Sequence, residues 1–217
     1  MALTYSKEFI IKEYNQSAEH REEFRKVKWG SPQSMMNRFY LAMKELPFAE
    51  ASNWFDIGCG TGAFQSVVKQ QFPHIHGLGV DLNTKLIGNA LSKQIQGIDF
   101  WVADFMEVKN VEFDLITCLG VIQKANFSLS QFFKHVAVLL HPKGNLLVDT
   151  KYIGWKKFKD PKIIPEPIHQ WFSIQQLRHA LQASGLQEVK LSGFLPAENK
   201  LVEPEDSHTI FLIAQKP

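Results

Sequence analysis

The sequence predicts an α/β fold with a doubly wound, mostly parallel sheet of seven strands. From Trp54 onwards, short apolar runs alternate with amphipathic stretches, and this βαβ rhythm is typical of parallel strands joined by right-handed crossovers. The chain has 217 residues, of which 45% are hydrophobic and 21% charged. That composition allows one sizeable core and excludes a disordered chain.

Residues 1–50 are expected to form an N-terminal helical cap, and residues 51–217 the sheet domain, with an insertion at 151–171. Within the cap, Ser31 is the expected N-cap of a helix that has Pro32 in its first turn and ends near Leu46. Three prolines indicate that the insertion is irregular.

The sheet domain divides at turn-forming residues. The predicted strands are 54–57, 75–81, 99–103, 113–119, 144–150, 188–193 and 209–215, and the predicted helices are 63–71, 85–93, 129–140 and 173–184.

Charge and cysteine content exclude several classes of protein. A net charge of +2 gives no electrostatic reason to expect binding to nucleic acid or an anionic membrane. The two cysteines, Cys59 and Cys118, are too few for a disulfide framework. No apolar run is long enough for a membrane span, and the first residues lack a secretory signal pattern. We therefore expect a cytoplasmic protein.

A glycine-rich segment is the most informative motif. Residues 56–63 read DIGCGTGA, between a predicted strand and a predicted helix. Glycines there let a ligand approach the backbone, and the helix N-terminus offers free N–H groups. The same residues also satisfy the dinucleotide fingerprint, with Ala63 in its third small position.

Two acids follow the glycine-rich segment. Asp81 ends the second predicted strand, where a carboxylate can bind ribose hydroxyls of NAD or of another adenosine cofactor. Asp104 follows the third strand, where it could accept a hydrogen bond from an adenine amino group while Phe105 packs on the ring. These residues indicate an adenosine ligand without selecting one.

Taken in order, these motifs resemble those of class I S-adenosylmethionine-dependent methyltransferases, from about Trp54 to the end of the chain. The LLHPKG segment at 139–144 is similar to that family's turn before the fifth strand, with Lys143 where glycine is usual. The resemblance implies a Rossmann-like fold closed by an antiparallel hairpin, and S-adenosyl-L-methionine as cofactor. It implies cofactor contacts for Asp56, Gly58, Cys59, Gly60, Asp81, Leu82, Asp104, Phe105 and Leu119.

Arg38 carries a second resemblance. Its placement before the glycine-rich segment is similar to that of a helical arginine in ubiquinone-biosynthesis-type O-methyltransferases. That resemblance implies a contact between Arg38 and the cofactor's methionine carboxylate, for which a guanidinium fork is well suited.

The acceptor is expected to be a small molecule methylated at oxygen, enclosed by the N-terminal helices and the 151–171 insertion. Trp155, His169 and Trp171 are candidate substrate contacts. Many relatives have a histidine just after the fourth strand, but this chain has Gln123-Lys124, so His169 is the candidate general base. The Asn/Asp-Pro-Pro-Tyr signature is missing there, which disfavours nucleobase amino groups as acceptors.

No metal is expected, since His74 and His76 lack a third ligand and Asp149 is a lone carboxylate. Two alternatives stay open: a nicotinamide-dependent oxidoreductase, and a non-catalytic methyltransferase-like binding protein.

Overall fold

The computed structural model describes residues 5–217, so the first four residues of the predicted cap lie outside the described part. The N-terminal helices predicted from the sequence are present. The helices are α1 (Lys7–Ser17), α2 (Glu23–Lys26), α3 (Pro32–Glu45), α4 (Ala63–Gln71), α5 (Thr84–Ser92), α6 (Leu129–Leu139) and α7 (Ile174–Gln182). The strands are β1 (Asn53–Ile57), β2 (His76–Asp81), β3 (Ile98–Val102), β4 (Phe113–Cys118), β5 (Leu140–Lys151), β6 (Gln187–Leu195), β7 (Lys200–Val202) and β8 (Thr209–Gln215).

All described strands belong to one sheet with the order β3-β2-β1-β4-β5-β8-β6-β7. Strands β1 to β5 pair in parallel, whereas β8 is antiparallel to β5 and β6, and β7 is antiparallel to β6. The predicted fold class is confirmed, but its count of seven strands is one too low. The missed strand, β7, has three residues, too few for an alternating pattern to be visible in the sequence.

Side-chain caps begin the helices near the predicted positions. The Ser31 hydroxyl accepts a hydrogen bond from the Ser34 N–H at 3.0 Å, and Pro32 occupies the first helical position. Ser173 begins α7 with a capping box completed by Gln176. Local side-chain chemistry therefore fixes these helix starts.

Strand β5 begins earlier than predicted. Leu140 already pairs with Phe113, and the register shifts before Leu115 pairs with Asn145. Residues 142–144 thus form an irregularity within the strand rather than a turn before it. Lys143 has φ +68°, a conformation that favours glycine, and its N–H donates to the Lys216 carbonyl at 2.9 Å.

Both faces of the sheet are buried. One face packs against α6 and α7 through residues such as Phe132, Phe133 and Leu177. The other packs against α3 and α4, where Trp54 lies against Phe48 and Phe64. This two-sided burial explains the short, nearly continuous apolar strands in the sequence. Across residues 5–217, no helix is long and apolar enough to span a membrane.

Candidate cofactor and acceptor site

The glycine-rich segment forms the turn from β1 into α4. Gly58, Gly60 and Gly62 have φ values of +73°, +56° and +72°. The N–H groups of Gly58 and Cys59 both donate to the Val80 carbonyl, at 2.8 and 3.0 Å. These bonds hold the turn against the end of β2, where Asp81 lies.

Asp81 connects the turn to the loop after β2. One carboxylate oxygen accepts the Gly60 N–H at 3.1 Å, and the other accepts the Asn83 N–H at 2.8 Å. Burial raises the pKa of Asp81 to about 6, although these hydrogen bonds favour the charged form. Each oxygen retains a further lone pair with which it could accept a hydroxyl of a ligand.

Asp56 lies beneath the turn and is buried. Its two oxygens accept hydrogen bonds from Thr117 Oγ1 at 2.6 Å and Gln65 Nε2 at 2.7 Å. Burial raises the pKa of Asp56 to about 7. Since protein groups already occupy both oxygens, Asp56 links β1, β4 and α4, and its predicted contact with a cofactor stays a prediction.

A cavity opens at the carboxyl ends of β1, β2 and β4, and its space together with the solvent at its mouth measures about 1100 Å³. Its position is the one at which open α/β sheets bind ligands. Nine of the predicted cofactor residues line it: Asp56, Gly58, Cys59, Gly60, Asp81, Leu82, Asp104, Phe105 and Leu119.

Asp104 and Phe105 lie at one end of this cavity. The Asp104 carboxylate accepts the Met106 N–H at 3.0 Å and lies 2.8 Å from Lys7 Nζ of α1. Burial alone would raise the pKa of Asp104, but its hydrogen bonds, that from Lys7 foremost, hold it below its usual value. Phe105 is buried against Phe127, with ring centroids 4.8 Å apart.

Residues from the N-terminal segment cover the cavity, and the site prediction did not include them. Ile10, Ile11 and Tyr14 of α1 line it, together with Val27 and Trp29. Their only signal in the sequence was the spacing of apolar residues in a charged helix, which does not show what the helix covers.

Hydrogen bonds join α1 and α2 to the loops that line the cavity. The Asn83 side-chain amide donates to Asn15 Oδ1 at 3.0 Å, and Thr61 bonds to Glu23. Burial, with the nearby Asp81 carboxylate, raises the pKa of Tyr14. The Tyr14 hydroxyl is therefore a neutral group beside Asp81 at physiological pH.

Arg38 is not among the residues that line the cavity. Its Nε donates to Asp149 Oδ2 at 2.9 Å, and its guanidinium carbon lies 4.3 Å from the centre of the Trp29 ring. Asp149 also accepts the Gly120 N–H. The guanidinium is thus engaged with a buried carboxylate, and its predicted contact with a methionine carboxylate stays a prediction.

The candidate substrate residues form a separate aromatic cluster beside the cavity. Trp155 packs against His208 at 5.1 Å between ring centroids, and Phe158 packs against Trp171 at 5.0 Å. His169 lies 6.5 Å from Trp171 by the same measure. No residue of the 151–171 insertion lines the cavity, and its predicted role in enclosing the acceptor stays a prediction.

Two hydrogen bonds explain where the insertion lies. The Gln170 N–H donates to the Gln123 carbonyl at 2.8 Å, and the Tyr5 hydroxyl donates to the Ile168 carbonyl at 2.8 Å. These bonds hold the insertion beside the loop that follows β4, rather than over the glycine-rich turn.

His169 faces charged neighbours. Its Nδ1 lies 2.7 Å from a Glu166 oxygen. Burial lowers the pKa of His169, and the nearby Lys124 and Lys151 lower it further. The imidazole is consequently neutral at pH 7, the form in which histidine can accept a proton. Within the described chain, no group of three or more His, Cys, Asp or Glu side chains could hold a metal ion.

Comparison with known families identifies the class of protein. A family model described as a methyltransferase domain matches residues 22–191. The chain therefore belongs to the methyltransferase-domain family. No curated protein sequence matches the chain.

Solved structures share the fold at low sequence identity. N-methyltransferase NodS from Bradyrhizobium japonicum WM9, in complex with S-adenosyl-L-homocysteine, has a TM-score of 0.66 at 17% identity, covering 95% of this chain and 98% of that one. Magnesium protoporphyrin IX methyltransferase (ChlM) from Synechocystis PCC 6803, with bound S-adenosyl-L-homocysteine, has a TM-score of 0.68 at 14% identity, covering 98% and 100%.

A possible histamine N-methyltransferase from Thermotoga maritima has a TM-score of 0.67 at 18% identity, covering 97% of each chain. These likenesses confirm the predicted class I S-adenosylmethionine-dependent methyltransferase fold. They do not extend to the predicted similarity with ubiquinone-biosynthesis-type enzymes.

Proposed function

We propose that this chain is an S-adenosyl-L-methionine-dependent methyltransferase that methylates a small molecule at oxygen. The observation that carries the proposal is the Asp81 carboxylate beside the glycine-rich turn, at the wall of the cavity. NodS and ChlM bind S-adenosyl-L-homocysteine, the product that this cofactor leaves after methyl transfer. Those complexes support the choice of cofactor.

The lining residues fit the parts of this cofactor. Asp81 would accept hydrogen bonds from the ribose hydroxyls, and Leu82 would lie beside the adenine. The backbone at Gly58 and Gly60, which has no side chain there, would lie against the methionine portion. Asp104 would accept the adenine amino group next to Phe105. Lys7 of α1 pairs with Asp104 in the described structure. When the cofactor binds, either α1 would move away or Lys7 and the adenine amino group would both contact the Asp104 carboxylate.

The cofactor would supply a methyl group bonded to a positively charged sulfur. An acceptor oxygen would receive this methyl group, and the sulfur would keep the electron pair of the carbon–sulfur bond. The protein's contribution is to align the two atoms and exclude water. Ile10, Ile11 and Tyr14 cover the cavity and would keep water away from the reacting atoms.

A hydroxyl acceptor must also lose its proton. We propose His169 as the base, since its imidazole is neutral at pH 7 and it lies near Lys124, which lines the cavity. The acceptor would have to reach from the cavity to the insertion. Unchanged turnover of the His169→Ala variant across pH 6–9 would exclude this role.

The proposal is tested by S-adenosyl-L-homocysteine release. Purified protein is incubated with S-adenosyl-L-methionine and a set of small hydroxyl, carboxyl and amine compounds. We expect release with an oxygen acceptor and none from Asp81→Ala, while Asp99→Ala, which changes an exposed aspartate of β3, keeps wild-type release. Release with amines alone would contradict methylation at oxygen. Cofactor binding without any release would favour the non-catalytic alternative.

A further inference from the structure

Three cationic side chains lie around the carboxyl ends of β4 and β5 with little access to solvent. Arg38 and Lys124 are 8% and 9% exposed, and Lys151 is half-buried. Lys124 also lines the cavity. Burying a charge is costly unless an opposite charge compensates it, so the partners of these three groups indicate what the region can bind.

Two of the cations have carboxylate partners. Arg38 pairs with Asp149 at 2.9 Å. Lys124 Nζ lies 3.6 Å from a Glu13 oxygen, and Lys28 lies closer to the same oxygen, at 2.8 Å. Glu13 is therefore shared, and Lys124 is only partly neutralised.

Lys151 differs from both. Among residues 5–217, no carboxylate oxygen lies within 4.0 Å of its Nζ. The Nζ lies 3.3 Å from His208 Nδ1 and 5.7 Å from the centre of the Trp171 ring. Burial lowers the pKa of His208 to about 4, so this neighbour is neutral at pH 7. Lys151 thus has no carboxylate in ion-pair contact among these residues. Burial lowers its pKa, while the more distant Glu166 and Asp149 favour its charged form.

The surrounding charges leave an excess of positive charge. The groups that face Lys151 or its neighbours are the cations Arg38, Lys28 and Lys124, the carboxylates Glu13, Asp149 and Glu166, and the imidazoles His169 and His208. With both imidazoles neutral, this group contains four cationic side chains, Lys151 included, and three carboxylates. Apart from Lys151 and Glu166, residues 151–171 contain four more lysines against one aspartate, which adds to the excess.

A second observation also indicates an acceptor of hydrogen bonds. The indole N–H of Trp155 is buried and has no hydrogen-bond partner among the described residues. Its ring packs on His208, the same side chain that contacts Lys151 Nζ. A buried donor without a partner costs free energy unless a ligand oxygen accepts it.

We propose that Lys151, with the Trp155 indole N–H, binds the carboxylate of an aromatic methyl acceptor beside the aromatic cluster of Trp155, Phe158 and Trp171. Lys124, between this cluster and the cavity, places the rest of the acceptor toward the cofactor. The inference rests on the proposed function and adds to it the substrate class, an aromatic carboxylic acid. The carboxylate serves as an anchor, and the methylated oxygen is a separate group.

The test compares each acid with its neutral amide. Calorimetry measures binding of indole-3-acetate, indole-3-acetamide, benzoate and benzamide to protein saturated with S-adenosyl-L-homocysteine. For wild type, we expect an acid to bind at least about tenfold more tightly than its amide, corresponding to about 1.4 kcal/mol. Lys151→Met should abolish this preference, and Lys151→Arg should retain most of it. Lys162→Met, a change of an exposed lysine in the same insertion, should leave it intact.

Trp155→Phe provides a second variant that keeps an aromatic ring but removes the N–H. We expect it to weaken acid binding several-fold and leave amide binding almost unchanged. Equal affinities for acid and amide in wild type, or a preference that survives in Lys151→Met, would overturn the inference. A wild-type protein that binds S-adenosyl-L-homocysteine yet shows no preference contradicts this inference alone, whereas no binding of S-adenosyl-L-homocysteine contradicts the proposed function as well.

Discussion

Asp81 and Arg38 show how far single residues can be interpreted from sequence. Asp81 lies at the end of a predicted strand shortly after the glycine-rich turn, and the structure brings it to the Gly60 N–H at 3.1 Å. The sequence of motifs along the chain was sufficient to predict that Asp81 lies beside the glycine-rich turn. Arg38 instead pairs with Asp149, 111 residues away, and nothing in its own helix indicated this partner. Long-range pairs between polar residues carry no periodic signal.

Gly58 lies at a position in the glycine-rich turn where a side chain would not fit. A Cβ at this position would lie 2.3 Å from Val121 Cγ2, and φ is +73°. We expect Gly58→Ala to lower the free energy of unfolding by about 2 kcal/mol or more, from the left-handed backbone and the clash together. Thermal or urea unfolding measures the change.

Gly88→Ala is the matched control. Gly88 is exposed on α5, and no heavy atom of a neighbouring residue lies within 4 Å of the added Cβ. It should raise the free energy of unfolding by about 0.5–1 kcal/mol, since alanine is the better helix former. Equal effects of the two substitutions would contradict the close approach of Val121 to the glycine-rich turn.

At the scale of elements, the strands and helices around the glycine-rich turn were predicted well because each has a strong local pattern. Helix α4 begins and ends at the predicted residues, and β8 does too. The predicted start of β5 was wrong because its first residues pair through an irregular register that ordinary strand signals do not encode. The N-terminal helices were expected to enclose the acceptor, but the residues of α1 that line the cavity were not predicted, because an amphipathic pattern identifies a packed face but not its partner.

Helix α1 is expected to open and close over the cavity. Only Ser17 of α1 is fully buried, and polar contacts such as Lys7 with Asp104 hold the helix in place. Elements with few buried apolar contacts open at low free-energy cost. We therefore predict that S-adenosyl-L-homocysteine slows amide hydrogen exchange in residues 7–17 by about tenfold or more, because the bound ligand fills the cavity beneath Ile10, Ile11 and Tyr14.

Helix α7 is the internal control for that measurement, since it packs on the far side of the sheet against α6. Its exchange should not change with ligand. Protection confined to α7, or none in α1, would contradict the role of α1 as a cover.

For the molecule as a whole, two buried carboxylates make stability depend on pH. The pKa of Asp56 rises from 3.8 to about 7, and that of Asp81 from 3.8 to about 6. At these two sites the folded protein binds more protons than the unfolded chain, so their contribution to the free energy of unfolding falls as pH rises from about 4 to about 7. The lowered pKa of His208, about 4, acts in the opposite direction over part of this window. Urea unfolding at several pH values measures the slope.

Asp56→Asn tests the source of this slope. The asparagine amide cannot ionise. The Gln65 Oε1 has no partner among the described residues, and if the Gln65 amide group rotates by about 180° this oxygen can accept the N–H of the new asparagine. We expect a flatter pH dependence in this variant, whereas Asp99→Asn, a change of an exposed residue, should leave the slope unchanged. A slope that is the same in all three proteins would show that Asp56 keeps an ordinary pKa.

The most direct test of the whole account is a calorimetric titration of the purified protein with S-adenosyl-L-homocysteine and, separately, with NAD. We predict micromolar binding of S-adenosyl-L-homocysteine and none of NAD. Loss of two hydrogen bonds to a charged group in Asp81→Ala should weaken binding by at least about 100-fold, since each is worth about 1.5–3 kcal/mol. Asp99→Ala should bind like wild type. Binding of NAD in place of S-adenosyl-L-homocysteine would contradict the account and favour the oxidoreductase alternative.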